Sequence, residues 1–153
     1  MATRHTLDIN APVEAAFDAV EDPEKIKLWA EGVEEIIYPY GLDEQNRVGT
    51  RFTQRIREGG RVEEYEGVVT AYDRPRHLGI SLGNKQFTVA VEYRFTPISA
   101  SSTRLDFSDE VTYHTAIARL MGALFGWFAN RILQKQMKKL KAVAESGTPD
   151  RVT

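Results

Sequence analysis

Asp109 is the residue of this 153-residue chain whose neighbours best suit it to chemistry. In TRLDFSDEVTY, the residues Leu105, Phe107, Val111 and Tyr113 alternate with polar ones, and Asp109 falls on the apolar side of that period-two pattern. A carboxyl group so placed is expected to have a raised pKa unless a partner compensates. That shift makes a carboxyl useful as a general acid or base near neutrality. The alternative is a strand end or bulge that turns it to solvent. Glu63 shares the face but lies near a hairpin end, closer to water. The histidines, His5, His77 and His114, are scattered; His114, between the last strand and the final helix, can cap a helix end or stand at a cavity mouth, but is more simply a surface residue. There is no HExxH or paired-histidine motif, no GxSxG elbow and no phosphate-binding glycine loop, so neither a metal site nor a cofactor is expected. The chain has no cysteine, which removes disulfides, thiolate ligands and thiol nucleophiles together.

The elements that would hold Asp109 can be read from periodicity. Residues 3 to 10 alternate as a half-buried strand, with Leu7 and Ile9 on one face. Pro12 opens a helix whose apolar set is Val13, Ala16, Phe17 and Val20, closed by Asp22-Pro23. A second short helix, PEKIKLWAEG, carries Ile26, Trp29 and Ala30 and stops at Gly32. From Val33 to about His114 the chain reads as strand and turn. Gly59-Gly60 predicts a hairpin pairing Glu58 with Arg61, then Ile56 with Glu63, Gln54 with Tyr65 and Phe52 with Gly67 on the more apolar face. On the other face Arg55 meets Glu64, so the arginines at 51, 55 and 57 read as cross-strand charge pairing rather than as a nucleic-acid stripe. Gly83-Asn84 predicts a second hairpin, with Ile80 facing Phe87 and Leu78 facing Val89. A turn between Pro97 and Ser102 places Phe95 opposite Leu105, Tyr93 opposite Phe107 and Val91 opposite Asp109.

After His114 the period becomes helical. A run of about 30 residues without proline, roughly 45 Å long, repeats Ile117, Met121, Leu124, Phe128 and Ile132, then Leu133, Met137, Leu140 and Ala144 as its buried stripe. Its first half is apolar almost all round. Its second half carries Lys135, Lys138, Lys139 and Lys141 away from that stripe, near the helix C-terminus where cations oppose the dipole. Gly122 and Gly126 allow close packing or leave empty volume. Gly147 stops the helix, and residues 147–153 are expected to be a flexible tail behind a single domain of residues 1–146.

Charge follows the same division. Residues 1–114 hold 13 Lys+Arg against 20 Asp+Glu, and residues 115–153 hold 7 against 2, within an overall formal charge of −2. The basic end suits nucleic acid or an anionic membrane, but one solvated helix face is the simpler account. With no signal-peptide core at MATRHTLDINAP and no apolar run of ~20 residues, a cytoplasmic protein without stable membrane insertion is expected.

One strand, APVEAAFDAVEDPEKIKLWAEGVEEI, the central GVVTAYDRPRHLGISL, the pair VEYRFTPISASSTRLDFSDEVTY and the closing LKAVAES together resemble the polyketide cyclase/dehydrase and lipid-transport group of the START-like (SRPBCC) superfamily. The likeness covers nearly the whole chain, and the order of the pieces carries it. It implies an α+β helix-grip fold: a curved seven-stranded antiparallel sheet around the long C-terminal helix, with two short helices after strand 1. It also implies a cavity between helix and sheet for a hydrophobic or amphipathic small molecule, walled by Trp29, Phe52, Gln54, Tyr65, Phe87, Tyr93, Phe107, Met121, Phe125 and Phe128. The role implied is transport, sensing or sequestration by a monomer or homodimer that binds no nucleic acid. Two alternatives remain open: a cyclase/dehydratase-like enzyme with Asp109 or a tyrosine as acid/base, and a co-chaperone-like interaction module. One scaffold hosts all three.

Overall fold

The structure, a computed structural model, describes residues 2–146. Strand β1 (Ala2–Ile9) is followed by helices α1 (Val13–Glu21) and α2 (Pro23–Trp29), then by strands β2 (Val33–Ile37), β3 (Arg51–Glu58), β4 (Arg61–Asp73), β5 (His77–Gly83), β6 (Phe87–Ser99) and β7 (Ser102–Tyr113), and by helix α3 (Ala116–Ser146). The seven strands form one antiparallel sheet in the order β1-β7-β6-β5-β4-β3-β2. This is the helix-grip arrangement. Pro12 stands at the N-cap of α1, and Asp22 ends that helix while its carboxylate accepts the Glu24 N–H at 3.0 Å to start α2.

Most of the expected register is present. Glu58 pairs with Arg61, Gln54 with Tyr65 and Phe52 with Gly67, and across β6 and β7 Tyr93 pairs with Phe107 and Val91 with Asp109. The β5–β6 hairpin is a correction: Ile80 pairs with Val91 and Leu78 with Tyr93, four residues beyond the expected partners. Gly83 pairs with Thr88, and the Asn84 side chain accepts from the Gln86 and Phe87 backbones at 2.8 and 3.1 Å, so the turn is wider than a two-residue one. A slip of an even number of residues leaves every side chain on its expected face.

Two bulges do alter faces. Between Val69 and Ala71 the β4–β5 register shifts, so Val69 and Tyr72 point to the same side of the sheet although simple alternation separates them. A second shift, between Val33 and Glu35 on β2, does the same for Val33 and Ile36.

The core gathers at one end of the molecule. Ile9, Phe17, Leu105 and Leu140 are fully buried there, with Met137 and Ala144 of α3 also buried, so the second half of that helix packs on α1, α2 and β1 while α1 lies against β6 and β7. Trp29 is buried beside them and donates its indole N–H to the Ala19 carbonyl at 2.7 Å. The first half of α3 behaves differently. Ile117, Met121, Leu124 and Phe128, expected in the buried stripe, are 74%, 48%, 57% and 53% exposed. Small residues face the sheet instead. Ala118 is buried, and Gly122 lies so close to the Tyr113 hydroxyl that a Cβ there would stand 2.2 Å from it, while Gly126 has open space beside it. The expected tail and the stop at Gly147 lie outside the described residues.

Candidate functional site

Between the sheet and the α2–α3 side lies a cavity of about 280 Å³, close to the lower end of small-molecule sites. Its floor is the concave face of β3 to β7, where Phe52, Val69, Ile80, Val91 and Phe107 alternate inward, and its roof is Ile26, Trp29, Leu133 and Met137. At β4, Gly67 gives the Phe52 ring its place: a Cβ there would lie 2.3 Å from the ring.

Of the residues expected in the wall, Trp29, Phe52, Gln54, Tyr93, Phe107 and Asp109 line this cavity. Tyr65 and Phe87 do not; their rings meet at a tilt with centroids 5.9 Å apart near the far hairpins, and the Tyr65 hydroxyl donates to Glu58 at 2.8 Å. Met121, Phe125 and Phe128 stand outside this lining. They are about half exposed on the first half of α3. Leu133, Gln136 and Met137, two or three turns later, supply the helix's share of the wall.

Besides Thr50, Gln54 and Gln136 in the lining, polar groups gather at two places in this mostly apolar pocket. At β7, Asp109 is half-buried, and burial raises its pKa against the lowering effect of Thr3, which hydrogen-bonds to it from side chain and backbone, and of nearby His5. Its Oδ1 is buried without a partner, as is Nε2 of His5, which sits opposite Phe107 on the same face. Tyr93 lies next to them, its hydroxyl pushed well above the usual range by burial and by the Asp109 charge. Three strands away, roughly 14 Å at ~4.8 Å per strand, a second group forms around Tyr72 on β4. Tyr72 donates to Glu21, and burial with that hydrogen bond pushes its pKa up to about 12. Arg47 lies over the Tyr72 ring at 5.5 Å with Nη1 3.7 Å from Glu21, and its Nε is buried without a partner. Arg74 holds the other Glu21 oxygen at 2.9 Å, and Tyr38 adds a hydroxyl whose pKa burial raises while Arg47 lowers it.

This second group escaped the sequence. Arg47 comes from the long β2–β3 connection, where no period applies, and Tyr72 reaches the inner face only through the β4 bulge. The signal that was available is the glycine-free run VVTAYD, in which one extra residue between Val69 and Tyr72 brings both inward.

A seven-stranded sheet gripping a long helix around an internal cavity defines the START-like class. Within it, the chain belongs to the polyketide cyclase/dehydrase and lipid transport family, whose model matches residues 2–145. Solved structures of similar shape include an aromatase/cyclase, Zhui, from Streptomyces sp. R1128 (13% identity, TM-score 0.73, covering 97% of this chain and 98% of that one). A START superfamily protein from Mycobacterium smegmatis matches at 14% identity and TM-score 0.71, covering 99% of both chains. A conserved protein from Geobacillus kaustophilus matches at 15% identity and TM-score 0.69, covering 95% of this chain and 97% of that one. No curated protein matches the sequence.

Proposed function

We propose that the chain binds an amphipathic small molecule in the sheet–helix cavity, as a carrier, sensor or store. The observation that carries this reading is the wall itself: a half-open, mostly apolar pocket of about 280 Å³ with unpartnered polar atoms at Asp109 and Arg47. Apolar walls supply affinity, and sparse polar groups fix orientation. A ligand with an apolar body and a hydrogen-bonding or anionic end placed towards Arg47 meets both requirements. The test is uptake of an apolar fluorescent probe by the purified protein, with a rise in melting temperature that grows with ligand concentration. Val91→Phe, which puts a ring into the wall beside Asp109, is expected to lower uptake at least tenfold while unfolding stays cooperative. No uptake by the unaltered protein, or unchanged uptake by the variant, overturns the reading.

Asp109 favours a second reading, that of a cyclase-like enzyme. A carboxylate made more basic by burial can take a proton from the carbon between two carbonyls, and the Tyr93 hydroxyl beside it can hydrogen-bond the enolate oxygen that forms. Turnover of a trial polyketide that Asp109→Asn abolishes without loss of binding supports it, and unchanged turnover removes it.

A further inference from the structure

We propose that the first half of α3 docks on the surface of an anionic lipid bilayer. Along one stripe of the helix, at alternating spacings of four and three, the chain places Ile117, Met121, Leu124, Phe128, Arg131, Lys135 and Lys138. All seven are exposed. Leu120, Phe125 and Trp127 flank the apolar part at 58%, 49% and 62% exposure, so the patch is continuous rather than a scatter of single hydrophobes. On the side that faces the protein Ala118 is buried and Gly122 lies against Tyr113, so the residues of the stripe point away from the sheet.

The change of character along the stripe identifies the partner. Four apolar positions give way to three cations, and none of Arg131, Lys135 and Lys138 has an ion-pair partner among the described residues, whereas Lys139 and Lys141 pair with Glu31 and Glu145. The only acidic residue of α3 is Glu145, at its far end. A lipid surface matches both halves at once: the acyl-chain boundary takes the apolar turns and the headgroup phosphates take the cations. A second copy of this chain bringing the same stripe would match the apolar part and leave the cations unanswered. The segment Ile117–Phe128 is about 18 Å long, short of the ~30 Å of a bilayer core, so it lies along the surface and does not cross it. No helix among the described residues is long and apolar enough to span a membrane. The surface lies on the outer side of α3, so docking stands whether or not the cavity holds a ligand.

Tryptophan fluorescence reads this directly, because Trp29 is buried and Trp127 is exposed. Vesicles of phosphatidylcholine and phosphatidylglycerol, mixed two to one, are expected to shift the emission to the blue and to carry the protein in a flotation assay. Vesicles of phosphatidylcholine alone bind far more weakly. Trp127→Phe removes the shift and keeps flotation. Lys135→Gln with Lys138→Gln lowers vesicle affinity on the order of twentyfold, and Leu124→Glu with Phe128→Glu abolishes it, both with circular dichroism unchanged. Absence of flotation with the mixed vesicles overturns the proposal. So does a concentration-dependent dimer, dissolved by Phe128→Glu, in a protein that the mixed vesicles do not bind.

Discussion

Asp109 sits at the centre of the site's pH behaviour. Its folded pKa is raised by burial above the ordinary carboxylate value of ~3.9, so the folded state holds that proton more tightly than the unfolded chain does. The stability this gives is fully present below the ordinary value and is lost as pH rises through the folded pKa. Asp109→Asn is therefore expected to raise stability at pH 7 and to flatten the pH profile above the ordinary carboxylate range, read by urea melts at a series of pH values. A fall in stability at pH 7 would show that Thr3 and His5 outweigh burial. The inward position of Asp109 was legible, because its strand alternates without interruption from Leu105 to Tyr113. Arg47 and Tyr72 were not, because a loop carries no period and a bulge resets the one that β4 had.

The contrast at the level of elements lies within α3. Periodicity identified the helix and nearly its full length, and in the second half the lysines also marked which side is wet. The first half offers apolar residues on most sides, so spacing alone cannot choose the inward one. On the inward side Gly122 lies against Tyr113, whose hydroxyl would stand 2.2 Å from a Cβ there. The two halves should respond differently to the same substitution. Leu140→Ala removes a fully buried side chain from the α1–α3 contact and is expected to cost about 2–5 kcal/mol. Leu124→Ala, in the exposed stripe, is expected to stay within about 0.5 kcal/mol in the absence of lipid. Denaturant midpoints of the pair check this, and equal losses would mean that the stripe is packed in solution. Similarly, the β5–β6 register was misjudged by an even step, because the turn residues suggest a position and only the Asn84 side chain sets the width.

On the scale of the whole molecule, the order β1-β7-β6-β5-β4-β3-β2 has a kinetic meaning. Strands β2 to β7 each pair with a neighbour in the chain, β2 across the long connection to β3 and the others through short turns. β1 has no such neighbour. It must find β7 across some hundred residues, as in the bond from Thr6 to Asp106 at 2.9 Å, and α3 then returns to it through the Asn10 N–H on Glu145 at 2.8 Å and the Lys141 ammonium on the Asp8 carbonyl at 2.7 Å. The longest searches in the fold belong to its first strand and last helix. Pulsed hydrogen exchange during refolding is expected to protect β3 to β6 before β1, and simultaneous protection would argue for a nucleus containing both. Of the strands of this fold, β1 is thus the one that waits longest for its partner, and until it docks, the edge of β7 that pairs with it, Asp109 included, stays open to water.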